Sequence, residues 1–276
     1  MADNFDPDAF QTINIRLDQN VAWVTLDRPE VLNAFNARMQ EEVRQTWLAF
    51  RKMDEVHAIV LTGSGEKSFC VGIDRDEEMP ALEDKESLYG TSNNYMYDDP
   101  GDDLGPKSCD LWKPVICAVN GMCCGGAFYF LAECDIIIAA EHATFFDPHV
   151  TYGMPAIYEP MKMAQRMPLG EILRMTLLGN HERLSATTAK EIGLVSEVVP
   201  IEKLVERASW ISGAIASQPP IAVQASLRAI WAANDLGRID ALAQAPSLLT
   251  TGMSKKAMTV GQALFKSGQR IDHRIR

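Results

Sequence analysis

Ala118-Val119-Asn120-Gly121-Met122-Cys123-Cys124-Gly125-Gly126-Ala127 leads an apolar strand into a helical run through a series of small residues. A junction of the same kind, Ser68-Phe69-Cys70-Val71-Gly72-Ile73-Asp74, follows an earlier buried strand, Val56 to Leu61, that ends at Thr62-Gly63. Backbone N–H groups at such junctions are free to point at an anion, and the helix dipole reinforces the set before Ala127. Two such groups aimed at one point make an oxyanion hole. Close helix–strand packing at Gly explains either junction alone; the pair points to chemistry.

Outward from these junctions, strands and helices alternate. Ile13 to Leu17 and Val21 to Leu26 read as strands joined by the turn Asp18-Gln19-Asn20. A helix is expected from about Asn36 to Met53, with Met39, Val43, Trp47 and Phe50 on one face. Pro114 to Val119 and Ile136 to Ala140 are further strands, and Ala127 to Glu133 is helical. From Met161 onward helices dominate, interrupted by the apolar run Val195 to Val199; Ser185 caps a short helix that Gly193 stops. Residues 74 to 105 are polar and acidic, and read as a long excursion on the binding face or a surface loop. The fold class is α/β: a largely parallel sheet covered by helices, followed by a helical C-terminal segment.

With 276 residues, 47% of them hydrophobic, the chain can bury a sizeable core. A net charge of −11 argues against a nucleic-acid partner. No apolar run approaches the roughly 20 residues that cross a bilayer, and the acidic N-terminus lacks the pattern of a signal peptide, so a cytoplasmic protein with no membrane partner is expected. The six cysteines form no Cys-x-x-Cys pair, and most lie in apolar runs; reduced core thiols are expected, and no metal site. Lys255, Lys256, Lys266, Arg270, Arg274 and Arg276 crowd the C-terminus against Asp272, as a solvated helical end or a patch for a phosphorylated ligand or acidic subunit.

Several catalytic motifs are absent. Gly63-Ser64-Gly65-Glu66-Lys67-Ser68 has the wrong spacing for a phosphate loop. There is no Gly-x-Ser-x-Gly elbow, no dinucleotide Gly-x-Gly-x-x-Gly after the first strand, and no His-Glu-x-x-His.

The ordered series that remains is Val24-Thr25-Leu26-Asp27-Arg28-Pro29, Leu32-Asn33-Ala34-Phe35-Asn36, Ala58 to Gly63, Phe69-Cys70-Val71-Gly72-Ile73-Asp74, Lys113 to Gly121 and Cys134-Asp135-Ile136. From about residue 13 to 220 it resembles the crotonase superfamily, the enoyl-CoA hydratase/isomerase family. The resemblance implies a spiral core of repeated β-β-α units in residues 1–200. Residues 201–276 would form a helical segment for oligomerisation and completion of the CoA site. The implied partners are an acyl-CoA thioester and further copies of the chain, as a homotrimer or a dimer of trimers. Coenzyme A enters as part of the substrate, and no separate cofactor is expected. By the same likeness, the N–H groups of Ile73 and Gly126 would hold the thioester oxygen. Asn33, Ala34, Phe35 and Ala37 would cradle the adenine end of CoA, with Cys70, Gly72, Asp74 and Gly125 among the CoA-binding positions.

The chain departs from the family pattern where hydratases place two glutamates. Tyr129 stands at the first, and His149, in Phe146-Asp147-Pro148-His149-Val150, at the second. Tyr129 lies one helical turn beyond Gly126, as a pocket residue or a core aromatic. His149 has the titration range of a general acid or base, and Asp147 and Glu159 are nearby alternatives. Asp147, preceding Pro, also suits a turn. Three functions follow: a hydratase or isomerase using His149, a decarboxylase or hydrolase of a CoA thioester or β-diketone, or a non-catalytic acyl-CoA binder. The C-terminal segment lacks the family's acidic-Gly and Phe-rich ending, leaving Lys255, Lys256 and Lys266 as candidates for CoA phosphates.

Overall fold

The first two strands, β1 (Ile13–Asp18) and β2 (Val21–Leu26), form an antiparallel hairpin whose turn residues Gln19 and Asn20 both have positive φ, as a tight two-residue turn demands. The structure, a computed structural model, describes residues 5–77, 99–268, 271 and 273–276. Most of the acidic stretch 74 to 105, and Arg270 and Asp272 of the basic tail, lie outside those residues. So does the side chain of Lys256.

Two sheets build the core. β3 (Ala58–Gly63), β5 (Val115–Val119), β7 (Ile136–Ala140) and β10 (Glu197–Val199) extend the hairpin in the order β1-β2-β3-β5-β7-β10, every pairing after the first being parallel. Val24, Leu61, Cys117 and Ile137 stand opposite one another across four of these strands, all buried. Strands covered on both faces read as continuous apolar runs, which is how the sequence displayed them. The second sheet, β4 (Ser68–Cys70), β6 (Met122–Cys124), β8 (Thr144–Phe146) and β9 (Leu184–Ser185), was not expected as a sheet; its first two strands were read as a loop and a helix approach. Strands of three residues are too short to show an alternating pattern. Successive pairs, β3/β4, β5/β6 and β7/β8, each give their first strand to the large sheet and their second to the small one, the β-β-α arrangement the resemblance implies.

Helices close the layers. α1 (Ala37–Phe50) starts where the Asn36 side chain accepts from the Met39 N–H, and it buries Met39, Val43, Trp47 and Phe50. It ends three residues earlier than the periodicity suggests. A 3-10 turn at Gly125–Ala127 runs into α2 (Phe128–Glu133). α3 (Tyr158–Met163), α4 (Leu169–Leu178) and α5 (Ala186–Glu191) follow, the last capped by Ser185 through Thr188 N–H. All six cysteines are buried free thiols.

The chain divides into two units, Met1–Ile215 and Ala216–Arg276, so that most of α6 (Ile201–Ala216) falls in the first. In the second, α7 (Pro220–Asp235) packs on α8 (Arg238–Gly252), with Gly252 against Ala225 where a larger residue would collide. Between them is an apolar cleft of about 650 Å³ lined by Ala229, Leu242, Pro246 and Leu249. Lys255 and Lys266 share one face of α9 (Lys255–Lys266) with Met258 and Gln262. Among the described residues no helix is long and apolar enough to cross a membrane.

Candidate active site

The two small-residue junctions meet. A single parallel bridge ties Phe35 to Ile73: Phe35 N–H donates to Gly72 C=O at 2.8 Å, and Asp74 N–H donates to Phe35 C=O at 2.7 Å. Residues 72 and 74 face Phe35 in this bridge, so the N–H of Ile73 turns the other way. Gly72 has φ +89°, and a Cβ there would lie 2.9 Å from Gly126 N and 3.2 Å from Cys124 O. Only glycine permits both that conformation and that approach. Gly126 itself sits in the first turn of its helical run, where backbone N–H groups lack intrahelical acceptors. The Phe35 ring closes one side; a Cβ on Gly126 would come within 2.7 Å of it.

Beside this point lies a cluster of titratable groups. His149 follows β8 in a 3-10 turn, and its ring Cε1 would be 3.7 Å from a Cβ on Gly125. Its Nδ1 is 2.5 Å from Asp147 Oδ1, and its Nε2 is 3.5 Å from Glu159 Oε1. Because the Asp147 carboxylate accepts, Nδ1 carries the proton and Nε2 is the basic nitrogen of the neutral ring. Asp147 is 1% exposed, and among the described residues its Oδ2 has no partner. Burial pushes the His149 pKa down, but the Asp147 hydrogen bond and the charges of Asp147 and Glu159 push it up further, so it rests above its ordinary value. Burial also raises Glu159, against the lowering effect of the His149 charge.

Tyr129 is buried and donates its hydroxyl to Asp99 Oδ2 at 2.9 Å, while also contacting Glu159. Burial, then the charges of Glu159 and Asp99, hold its phenol far above the ordinary range, so it stays neutral. Tyr129 is thus both a buried aromatic and a member of the cluster.

The structure therefore brings Ile73, Gly126, His149, Asp147, Glu159 and Tyr129 into one region. The residues named for CoA differ among themselves. Asn33 is fully buried, with φ +57°; its Oδ1 accepts from Arg28 N–H, and its Nδ2 donates to the carbonyls of Ser64 and Ser68. Its side chain is committed to the protein, leaving backbone alone for a ligand. Ala34, Phe35, Cys70 and Gly125 are buried, and Ala37 is exposed at the start of α1. Asp74 is buried and pairs with Arg28 at 2.8 Å.

Three participants escaped sequence reading. Asp99 lay in the acidic stretch read as an excursion on the binding face or a surface loop, with nothing to single it out, but is buried under Tyr129. Arg28 donates to Ala34 C=O and joins Asp74 and Glu77, bracing the Phe35–Ile73 bridge; the loop motif around it was its only signal. Arg75 lays its guanidinium 4.7 Å over the Tyr152 ring, and its charge acts on His149.

The family model described as enoyl-CoA hydratase/isomerase matches residues 16–271. The chain is 31% identical over 225 residues to the (E)-benzylidenesuccinyl-CoA hydratase of Thauera aromatica, covering 81% of this chain and 84% of that one. It is 34% identical over 214 residues to the short-chain-enoyl-CoA hydratase of Clostridium acetobutylicum, covering 76% and 77%. The crystal structure of an enoyl-CoA hydratase/isomerase from Mycobacterium paratuberculosis matches with a TM-score of 0.83 at 33% identity, covering 98% of this chain and all of that one.

Proposed function

The chain belongs to the enoyl-CoA hydratase/isomerase family, and from that premise we propose that it adds water to an enoyl-CoA thioester, with His149 and Glu159 in place of the family's two glutamates. The observation that carries this reading is the buried Asp147–His149–Glu159 cluster beside Gly125 and Gly126. A site that had lost its chemistry would have no cause to keep two buried carboxylates on a histidine, since buried charge is costly unless paired.

The thioester oxygen accepts from the N–H groups of Ile73 and Gly126. His149 Nε2 removes a proton from water as the water oxygen bonds to the β-carbon. The π electrons move onto the thioester oxygen, forming an enolate whose charge the two N–H groups stabilise. Each such donor contributes about 3–4 kcal/mol in the transition state. Glu159, protonated, then gives its proton to the α-carbon, the enolate collapses, and the proton on His149 returns to Glu159. Water and enoyl-CoA become 3-hydroxyacyl-CoA, and the pair ends as it began. Asp147 keeps the imidazole oriented, and Tyr129 with Asp99 keeps Glu159 in place.

Homotrimers or dimers of trimers, built in part through residues 216–276 with their exposed Ile230, Ile239, Leu249 and Phe265, complete the proposal, along with a cytoplasmic location. Turnover of crotonyl-CoA, followed by loss of the enoyl-thioester absorbance in wild type and His149→Ala, tests the reaction. Hydration that collapses in the variant is expected. Absence of hydration, with product analysis showing loss of CO2 or free CoA from other thioesters, would replace it with decarboxylation or hydrolysis. Tight binding with no product would leave a binder.

A further inference from the structure

We propose that Arg75 selects acyl groups that carry a carboxylate of their own, so that the substrate is the CoA thioester of a dicarboxylic acid. This rests on the acyl-CoA reading above and narrows it.

Arg75 leaves the oxyanion junction two residues beyond Ile73, and Tyr152 leaves the acid–base turn three residues beyond His149. The guanidinium of the first lies 4.7 Å over the ring of the second, so the side chain spans the two walls of the site. Its charge acts on His149. Arg28, beside the same junction, is fixed by Asp74 and Glu77. Among the described residues, Arg75 has no carboxylate partner, and both it and Tyr152 are exposed.

Stacking occupies the face of a guanidinium and leaves its N–H edge open. That edge matches the two oxygens of a carboxylate, and an aromatic platform holds it ready for them. An apolar acyl chain would gain nothing from a charge at this place and would have to desolvate it. Among the described residues the acids of the site do not supply the missing anion: Asp147 is turned toward His149, and Glu159 toward His149 and Tyr129. The CoA phosphates are the other anions of the substrate, and the experiment separates them from the acyl carboxylate.

Glutaryl-CoA and hexanoyl-CoA are saturated, so their binding is read without turnover, and they differ chiefly in the terminal carboxylate. Calorimetric titration of wild type, Arg75→Met and Arg75→Lys with each gives six affinities. Wild type is expected to bind glutaryl-CoA more tightly, and Arg75→Met to lower the glutaryl-to-hexanoyl affinity ratio by about 10-fold to 100-fold, the range of a hydrogen bond to a charged group. Arg75→Lys should recover part of that ratio. Equal weakening of both thioesters in Arg75→Met would assign Arg75 to the CoA phosphates and overturn the proposal, as would an unchanged ratio. Failure of wild type to bind either thioester would overturn the acyl-CoA reading and this proposal together. Binding without discrimination overturns this one only.

Discussion

Asp147 Oδ1 accepts twice from His149, at 2.5 Å from the ring Nδ1 and at 3.0 Å from the backbone N–H. One carboxylate oxygen thereby sets both the turn and the rotation of the imidazole, leaving Nε2 toward Glu159. Asp147→Asn preserves volume but offers an amide that can donate to Nδ1 and reverse the tautomer. We expect kcat for hydration to fall by about 100-fold or more with little change in KM. Steady-state kinetics beside a circular-dichroism melt checks that the loss is chemical and not a loss of fold.

The pH profile follows from the pair. The reactive state holds one proton between His149 and Glu159; below it both are protonated, and above it neither is. Glu159 is raised from 4.5 and His149 from 6.5, so the bell should have its acid limb above pH 4.5 and its alkaline limb above pH 6.5. These limbs belong to the coupled pair. In Asp147→Asn the two Asp147 interactions that raise His149 are lost and only the Glu159 charge still opposes burial, so the alkaline limb should move down. Rates across a buffer series with constant ionic strength measure both limbs.

Gly72→Ala places a methyl group 2.9 Å from Gly126 N on a backbone at φ +89°. Either the two junctions move apart or the methyl screens the N–H proposed to receive the thioester oxygen. The expected result is a fall in kcat of about 100-fold to 1,000-fold, the scale of one lost oxyanion donor. Single-turnover kinetics at saturating substrate isolates that step from binding.

Arg28→Met removes the partner of Asp74, both side chains being about nine-tenths buried. An unpaired buried carboxylate costs about 3–5 kcal/mol, whereas the half-exposed Glu77 adds little. Urea denaturation should register that loss. Arg28→Lys restores the charge without the planar fork and should recover only part of it. Because the same guanidinium braces the loop carrying Ile73, kcat should fall in Arg28→Met even where the protein remains folded.

How much could be read beforehand depended on distance along the chain. The long strands of the large sheet, the Ser185 cap and both junctions are local patterns, and the sequence displayed them. Tyr129 and His149 stood out as departures from an ordered motif. The neighbours that give them meaning did not: Asp99 is 30 residues from Tyr129, and nothing in an acidic run marks the member that is buried. Asn33 shows the opposite failure. Its motif suggested a ligand cradle, but three backbone partners within the protein consume its side chain. Arg75 carried no local signal at all, because a single arginine among acids reads as a solvated charge.

The small sheet has a bearing on how this protein could change its trade. Ile73, Gly126, Tyr129, His149 and Glu159, the residues proposed for the reaction, all hang from connections that leave β4, β6 or β8, whereas the Val24–Leu61–Cys117–Ile137 row of the large sheet contributes none of them. Fold and reaction are therefore inherited on separate pieces of chain. A descendant, or an engineer, can exchange the side chains on those three connections and obtain a new catalyst while the large sheet stays as it is.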